Sequence, residues 1–471
     1  MLHRSLPALA LLFASTLLAA EPVPLGRSLE VFVDDHLVEA MQGSVGRVVH
    51  EPQAQEVVLV TDKPWEGNTC AYYTVFQDGD RYRMYYRGSH ADEQTKKSQH
   101  PEVTCYAEST DGIHWTKPEL GFCDWNGSTA NNIVWNGIGT HNFTPFKDAN
   151  PKAPPESRYK AIASGAGVGK GLYVFQSPDG LHWALMSEKP VITRGAFDSQ
   201  NLAFWDPVSG KYRDYHRTFT NGVRAIMTCT SDDFVNWTEP VLLTYPEGTP
   251  DEHLYTNAIR LYPQRRQIYP TAPRLFLGFP TRYQPKTSQV EPILMSSRDG
   301  QHFQRFDKAI IPITAPSERD GNRSNYMANG LVTLPGREGE WSVYASESYY
   351  DGPDSRLRRF SFRLDGLVSL RADEQGGEVI TRPFHFEGDQ LILNYATRKG
   401  GSIRVELQTA EGKVIAPFDL ESCHPLEGDD TAAVVSWKLG DGLIRHSSEP
   451  VRLRFRLKDA DLYSLHFRLL E

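Results

Sequence analysis

Cysteine is scarce in this chain. Its 471 residues include five (Cys70, Cys105, Cys123, Cys229 and Cys423), and no two form a Cys-x-x-Cys pair. That spacing gives no support to a zinc ribbon or a thioredoxin-like redox centre. An odd number in a chain long enough to build a large core reads mainly as buried thiols, with Cys105 and Cys123 the nearest pair should a disulfide form. Positive charge is not in excess either. Lys and Arg number 50 against 59 Asp and Glu, a net charge of −9, whereas a nucleic-acid partner would want a basic face. Long apolar runs are missing beyond the N-terminus. The run from Leu6 to Leu18 follows a basic start at Arg4 and precedes Ala19-Ala20. That is the layout of an export signal over residues 1–20, and it is too short for a comfortable membrane span. No Cys follows it to carry a lipid anchor. The expectation is a secreted or periplasmic protein with no membrane contact after cleavage. Helix-period stretches are absent as well.

Aromatic residues are plentiful: 9 Trp, 21 Tyr and 22 Phe. One heptad organises them. Ser109-Thr-Asp-Gly-Ile-His-Trp115 returns as Ser177-Pro-Asp-Gly-Leu-His-Trp183, as Ser231-Asp-Asp-Phe-Val-Asn-Trp237 and as Ser297-Arg-Asp-Gly-Gln-His-Phe303. The shared frame is Ser-x-Asp-x-x-x-aromatic, and its Asp residues (111, 179, 233, 299) lie 68, 54 and 66 residues apart. A strand-rich unit of that size predicts the blades of a propeller. The Asp side chain bonds nearby backbone N–H groups, Gly supplies a positive φ, and the aromatic folds back between sheets. The motif therefore reads as a fastener. Its histidines, His114, His182 and His302, repeat with it, which argues against a unique catalytic task.

Strand patterns between the fasteners divide the chain into five blades up to about residue 371, with a leading strand free to complete the last blade and close the ring. From about Ala372 the rhythm stops, and strictly alternating stretches such as Ser402–Gln408 and Val451–Leu457 read as antiparallel sheet. The expected architecture is all-β: a five-bladed β-propeller over residues 21–371, then a β-sandwich over 372–471. The basic stripe Arg452, Arg454, Arg456 and Lys458 reads as a solvated face of that sandwich.

Strands within a blade run antiparallel, so the start of strand one and the end of strand two open on the same mouth. These corners carry Glu66, Asp148, Asp198, Glu252 and His253 on strand-one starts, with Arg323 beside them. Strand-two ends carry Arg87, Arg217, Arg282 and Glu347. Paired carboxylates across a pocket are what glycosidic cleavage uses. Glu66 or Asp148 is the expected base or nucleophile and Asp198 or Glu252 the expected acid, with Arg87, Arg217, Arg282, Arg323, His253 and Glu347 holding substrate. Guanidinium forks suit carboxylate and sulfate groups, which points to an anionic sugar. No ligand spacing calls for a metal and no cofactor is expected; a structural calcium ion stays open, without a sequence signal for it. A carbohydrate-binding propeller without turnover is the alternative.

Five blades, an export signal and a trailing β-sandwich resemble the propeller glycoside hydrolases, the arabinanase/β-xylosidase and invertase/levanase families. The fasteners are similar to the Asp box of sialidases, with altered spacing. Val33-Asp-Asp-His-Leu-Val-Glu39, Trp65-Glu-Gly-Asn68 and Tyr82-Arg-Met-Tyr-Tyr-Arg87 also resemble segments of secreted hydrolase-like proteins from polysaccharide-degrading bacteria. The resemblance implies hydrolysis of an O-glycosyl bond by carboxylates in the propeller mouth. The chain departs from the invertases in lacking their Trp-Met-Asn-Asp-Pro-Asn-like and Arg-Asp-Pro motifs.

Overall fold

The computed structural model describes residues 21–165, 169–263, 273–316, 319, 325–439 and 442–470; the expected export signal lies outside them. Within them the fold is all-β, and five sheets form the ring. Blade one is Ala71–Asp78, Arg81–Gly88, Val103–Ser109 and Ile133–Trp135. Blade two is Thr144–Lys147, Tyr159–Ser164, Leu172–Ser177 and Ala184–Leu185, and blade three is Leu202–Asp206, Lys211–Thr220, Val223–Ser231 and Val241–Leu242. In blade four the long strand Gln289–Ser297 pairs with Phe276–Gly278 near one end and with Thr281–Gln284 near the other, so a hairpin extends from the blade. Blade five is Val332–Leu334, Arg337–Glu347 and Arg356–Arg363, and its outermost strand is Gln53–Val60, supplied from before blade one. The ring closes as the leading strand led us to expect.

The fasteners hold neighbouring blades together. In the first, the Asp111 carboxylate accepts the backbone N–H of Ile113 and of His114, both at 2.8 Å, and Trp115 donates its indole N–H to the Gly112 carbonyl at 3.0 Å. A tyrosine on the preceding blade then donates to the fastener glycine: Tyr344 to Gly112 at 2.7 Å, Tyr85 to Gly180 at 2.9 Å and Tyr215 to Gly300 at 2.8 Å. Gly180 needs its lack of a Cβ, because its φ is +80° and a Cβ there would lie 2.8 Å from the Tyr85 hydroxyl. The fastener histidines are exposed and each bonds its own Asp, as His114 does at 2.6 Å.

One domain boundary differs from expectation. Val23–Gly26, Glu30–Val31, Val38–Gly43 and Gly46–Val49 all pair with C-terminal strands, in one ten-stranded sheet built around the long strands Gln390–Thr409 and Val451–Arg468. The strands of segment 23–49 thus pair with the C-terminal sheet while Leu29, Val31, Val33 and Val49 pack against blades four and five, and the ring's own strands begin at Gln53. Nothing local in these residues says which sheet edge they fill. Leu25 and Phe32 share a single apolar core with Leu393, Phe455 and Phe467. The basic stripe is neutralised on its own sheet: Arg454 meets Glu378 at 2.8 Å, and Arg456 meets the same carboxylate at 3.3 Å. All five cysteines are buried free thiols, Cys105 and Cys123 included.

Candidate functional site

Strand two of blade one reaches the mouth at Arg87, and strand two of blade three reaches it at Arg217 before running on to Thr220. Tyr72 follows Ala71, the register partner of Arg87, where blade one's first strand bulges, and it adopts a left-handed φ of 58°. Non-glycine residues held there are strained and cluster at working sites. The Arg87 guanidinium stacks 4.9 Å over the Tyr72 ring and donates to the Thr69 carbonyl at 2.8 Å and the Tyr349 hydroxyl at 3.0 Å. Arg217 lies 5.1 Å over Tyr255, and Arg224 lies 4.7 Å over Tyr283. Tyr326 joins the ring, its centroid 5.7 Å from Tyr255 and 5.5 Å from Tyr349.

The centre of this mouth is an imidazole between two carboxylates. His141 Nδ1 lies 2.9 Å from Glu102, and its Nε2 lies 2.9 Å from Asp198. Arg87 approaches Glu102 at 3.5 Å and Arg217 approaches Asp198 at 3.7 Å. Burial alone would lower the His141 pKa, but the hydrogen bonds to Asp198 and Glu102 outweigh it and the net shift is upward. The hydrogen bond from His141 is also the largest influence on Asp198, whose carboxyl falls to about 2. Burial pushes Glu102 up, yet His141 and Arg87 together bring it below its ordinary value. The upward shift favours the protonated imidazole, the form that donates to both carboxylates at once, while Arg87 also reaches Nδ1 at 3.3 Å.

Asp198, Arg87 and Arg217 therefore meet as the corner rule anticipated, and His253 stands at the rim with its Nδ1 3.2 Å from Arg224. The other sequence candidates lie elsewhere. Glu66 is fully buried under blade one, bonded by the Tyr86 hydroxyl at 2.5 Å and by Lys117 at 2.6 Å. Asp148 follows the end of the four-residue strand Thr144–Lys147, so it stands at the opposite face of the ring. There it pairs with buried Lys160 at 2.5 Å and accepts from the Tyr212 hydroxyl at 2.7 Å. Glu252 and Arg282 bond each other at 2.9 Å on the blade-four hairpin, where Arg282 also holds Glu291. Glu347 is buried on blade five between Arg356 at 3.0 Å and Arg358 at 2.7 Å. Each of these carboxylates answers a buried or half-buried cation. Arg323 lies outside the described residues.

Glu102, His141, Arg224 and the tyrosine ring were not singled out from sequence. Glu102 ends the long link between strands two and three of blade one, and His141 lies on the link from blade one to blade two; both links open on the same mouth as the strand corners. Beneath the tyrosines, the axial cavity bounded by Tyr73, Gln200, Thr256 and Ser346 is only ≈ 10 Å³. A larger cavity of ≈ 580 Å³ opens at the other end of the ring, among Phe76, Phe146, Trp205, Tyr262 and Arg260. No carboxylate lines it among the described residues, so it offers no acid–base pair.

No family model matches this chain, and no curated protein matches it. Solved structures do. An N-acetylgalactosamine deacetylase from F. plautii aligns at 14% identity and TM-score 0.44 over 68% of this chain and 96% of its own. A thermostable family-43 glycoside hydrolase gives the same identity, TM-score and coverage. The β-1,2-mannobiose phosphorylase of Listeria innocua aligns at 13% identity and TM-score 0.47 over 66% of this chain and 96% of its own.

Proposed function

We propose that the protein is an exported glycoside hydrolase acting on an anionic poly- or oligosaccharide, with Glu102 and Asp198 as its acid and base. The observation that carries the reading is the His141 bridge. Two hydrogen bonds of 2.9 Å on either side of one imidazole ring place the bonded carboxylate oxygens roughly 7–8 Å apart, within the ~6.5–9.5 Å spacing of inverting glycosidases. Such spacing leaves room for a sugar ring and a water once the imidazole swings aside. Asp198 is the more exposed of the two and keeps Arg217 beside it, which suits the base that takes a proton from the attacking water. Glu102 is the drier one. Removal of His141 from its side takes away one of the two groups that lower its pKa and leaves burial opposed by Arg87 alone, a shift toward the acid that protonates the leaving oxygen. The product is then released with inverted anomeric configuration.

Support for an anionic substrate comes from the guanidinium groups. Arg224 forms no ion pair with a carboxylate among the described residues, and its Nε is buried without a partner, as is that of Arg87. An uncompensated cation at a tyrosine-lined mouth suits a uronate or sulfated unit. The second reading, binding without turnover, draws on the small size of the axial cavity. One experiment separates them. Wild type, Asp198→Asn and Glu102→Gln are assayed on sulfated and uronic glycans and on neutral arabinans and fructans. Turnover of anionic glycans by wild type, lost in Asp198→Asn, is expected. Glu102→Gln should lose natural glycans but keep activity on aryl glycosides whose leaving group needs no proton. Binding with no turnover on any substrate supports the second reading, and a preference for neutral glycans removes the anionic assignment.

A further inference from the structure

Away from the mouth, blade three buries three potential metal ligands on one face. Asp214 and His216 alternate on the strand Lys211–Thr220, and Cys229 on Val223–Ser231 is the direct cross-strand partner of Asp214. All three are buried, and a ligand atom from each lies within 4.8 Å of the others. His216 Nδ1 touches one Asp214 oxygen, and Cys229 Sγ lies 3.5 Å from the same oxygen. The second Asp214 oxygen is buried with no hydrogen-bond partner. His216 Nε2 lies 2.9 Å from the Arg194 carbonyl, which fixes its proton on that nitrogen. Both ring nitrogens thus face acceptors, so Nδ1 must hold either a proton or a metal ion toward the Asp214 carboxylate. A ring nitrogen tied to a carbonyl while the other faces outward is the usual second-shell arrangement of a metal-ligating histidine.

We propose that Asp214, His216 and Cys229 bind a zinc ion. Nitrogen, oxygen and sulfur donors together suit zinc, and a carboxylate with a thiolate balance its double charge. Binding forms a Zn–S, a Zn–N and a Zn–O bond. It releases the Cys229 thiol proton and any proton held between His216 and Asp214 to solvent, with no change of oxidation state. The second Asp214 oxygen, buried without a partner, is the remaining donor atom of the cluster. The site would also anchor the segment that carries Asp198: His216 holds the Arg194 carbonyl, and Ala196 exchanges hydrogen bonds with Arg217 at 2.8 and 3.1 Å.

The test is titration of chelator-treated full-length protein with Co²⁺ and, separately, Zn²⁺. One equivalent of cobalt should bind and produce a thiolate-to-cobalt charge-transfer band. One equivalent of zinc should displace it and raise the melting temperature. Cys229→Ser, nearly isosteric with the thiol, should lose the band and the zinc-dependent shift. Wild-type protein that shows neither a band nor a zinc-dependent melting shift overturns the proposal, and this outcome needs no variant to fold. A band that persists in Cys229→Ser overturns it too. None of these readouts depends on whether the mouth cleaves glycosides.

Discussion

Replacement of Lys160 by Met tests whether Asp148 belongs to the scaffold. Lys160 Nζ stands 2.5 Å from the Asp148 carboxylate, with the two side chains 3% and 0% exposed. Lys160 also donates to the Ser157 carbonyl at 3.0 Å. After the substitution Asp148 keeps the Tyr212 hydroxyl at 2.7 Å and the Asn150 N–H at 2.9 Å. Two neutral donors do not replace a cation for a fully buried carboxylate. Removal of one partner of such a pair costs about 3–5 kcal/mol, most of it the uncompensated charge left behind. Methionine matches the aliphatic stem of lysine, so little of the loss comes from packing. Urea unfolding of wild type, Lys160→Met, Asp148→Asn and the double variant measures the loss and the coupling between the sites. The double variant should recover much of the stability lost by Lys160→Met alone. A loss below about 1 kcal/mol for Lys160→Met would refute the reasoning, because burial of the pair would then carry no electrostatic consequence. Turnover per folded molecule should be unchanged, since the pair lies at the face of the ring away from His141.

Three further outcomes follow from the structure. Tyr85→Phe removes the hydrogen bond to the fastener carbonyl of Gly180 and should cost about 1–2 kcal/mol in unfolding free energy, a buried acceptor being left unmet. The His141 resonance, followed by NMR, should titrate above the ordinary histidine value, and Asp198→Asn should bring it down. Its raised folded pKa means that its stabilising contribution is complete below about pH 6.5 and fades as pH rises through the folded value, while the depressed Asp198 carboxyl contributes above about pH 4 and is lost as pH falls toward 2. Glu30, buried beside Arg298, has its carboxyl raised to about 7, with burial the largest cause. Protons then favour the folded state, so stability contributed by this group falls between about pH 4.5 and 7, and Glu30→Gln should flatten that decline in pH-dependent melts.

Much of the fold was legible because the fastener is a local motif with a sequence frame. Asp111, Asp179, Asp233 and Asp299 marked the blades, and each closes its turn on backbone groups two or three residues away. Assignment of Val23–Val49 to the C-terminal sheet was not legible, because pairing partners more than three hundred residues away leave no local trace. At the mouth, the corner rule found Arg87, Asp198 and Arg217, whose places follow from strand direction. It misplaced Asp148 because blade two's first strand is only four residues long. It missed Glu102 and His141 because links between strands have no periodicity to read. Glu66, Glu252 and Glu347 look the same as catalytic acids in sequence; only their partners, Lys117, Arg282 and the Arg356–Arg358 pair, reveal them as structural.

Glycan turnover and binding by wild type and Asp198→Asn, measured on the same anionic oligosaccharide by product chromatography and calorimetry, bear most directly on the role given to the His141-bridged carboxylates. Cleavage by wild type to the inverted anomer, with turnover lost and affinity kept in Asp198→Asn, is the predicted result. Cleavage that survives in Asp198→Asn, or a product of retained configuration, would contradict it.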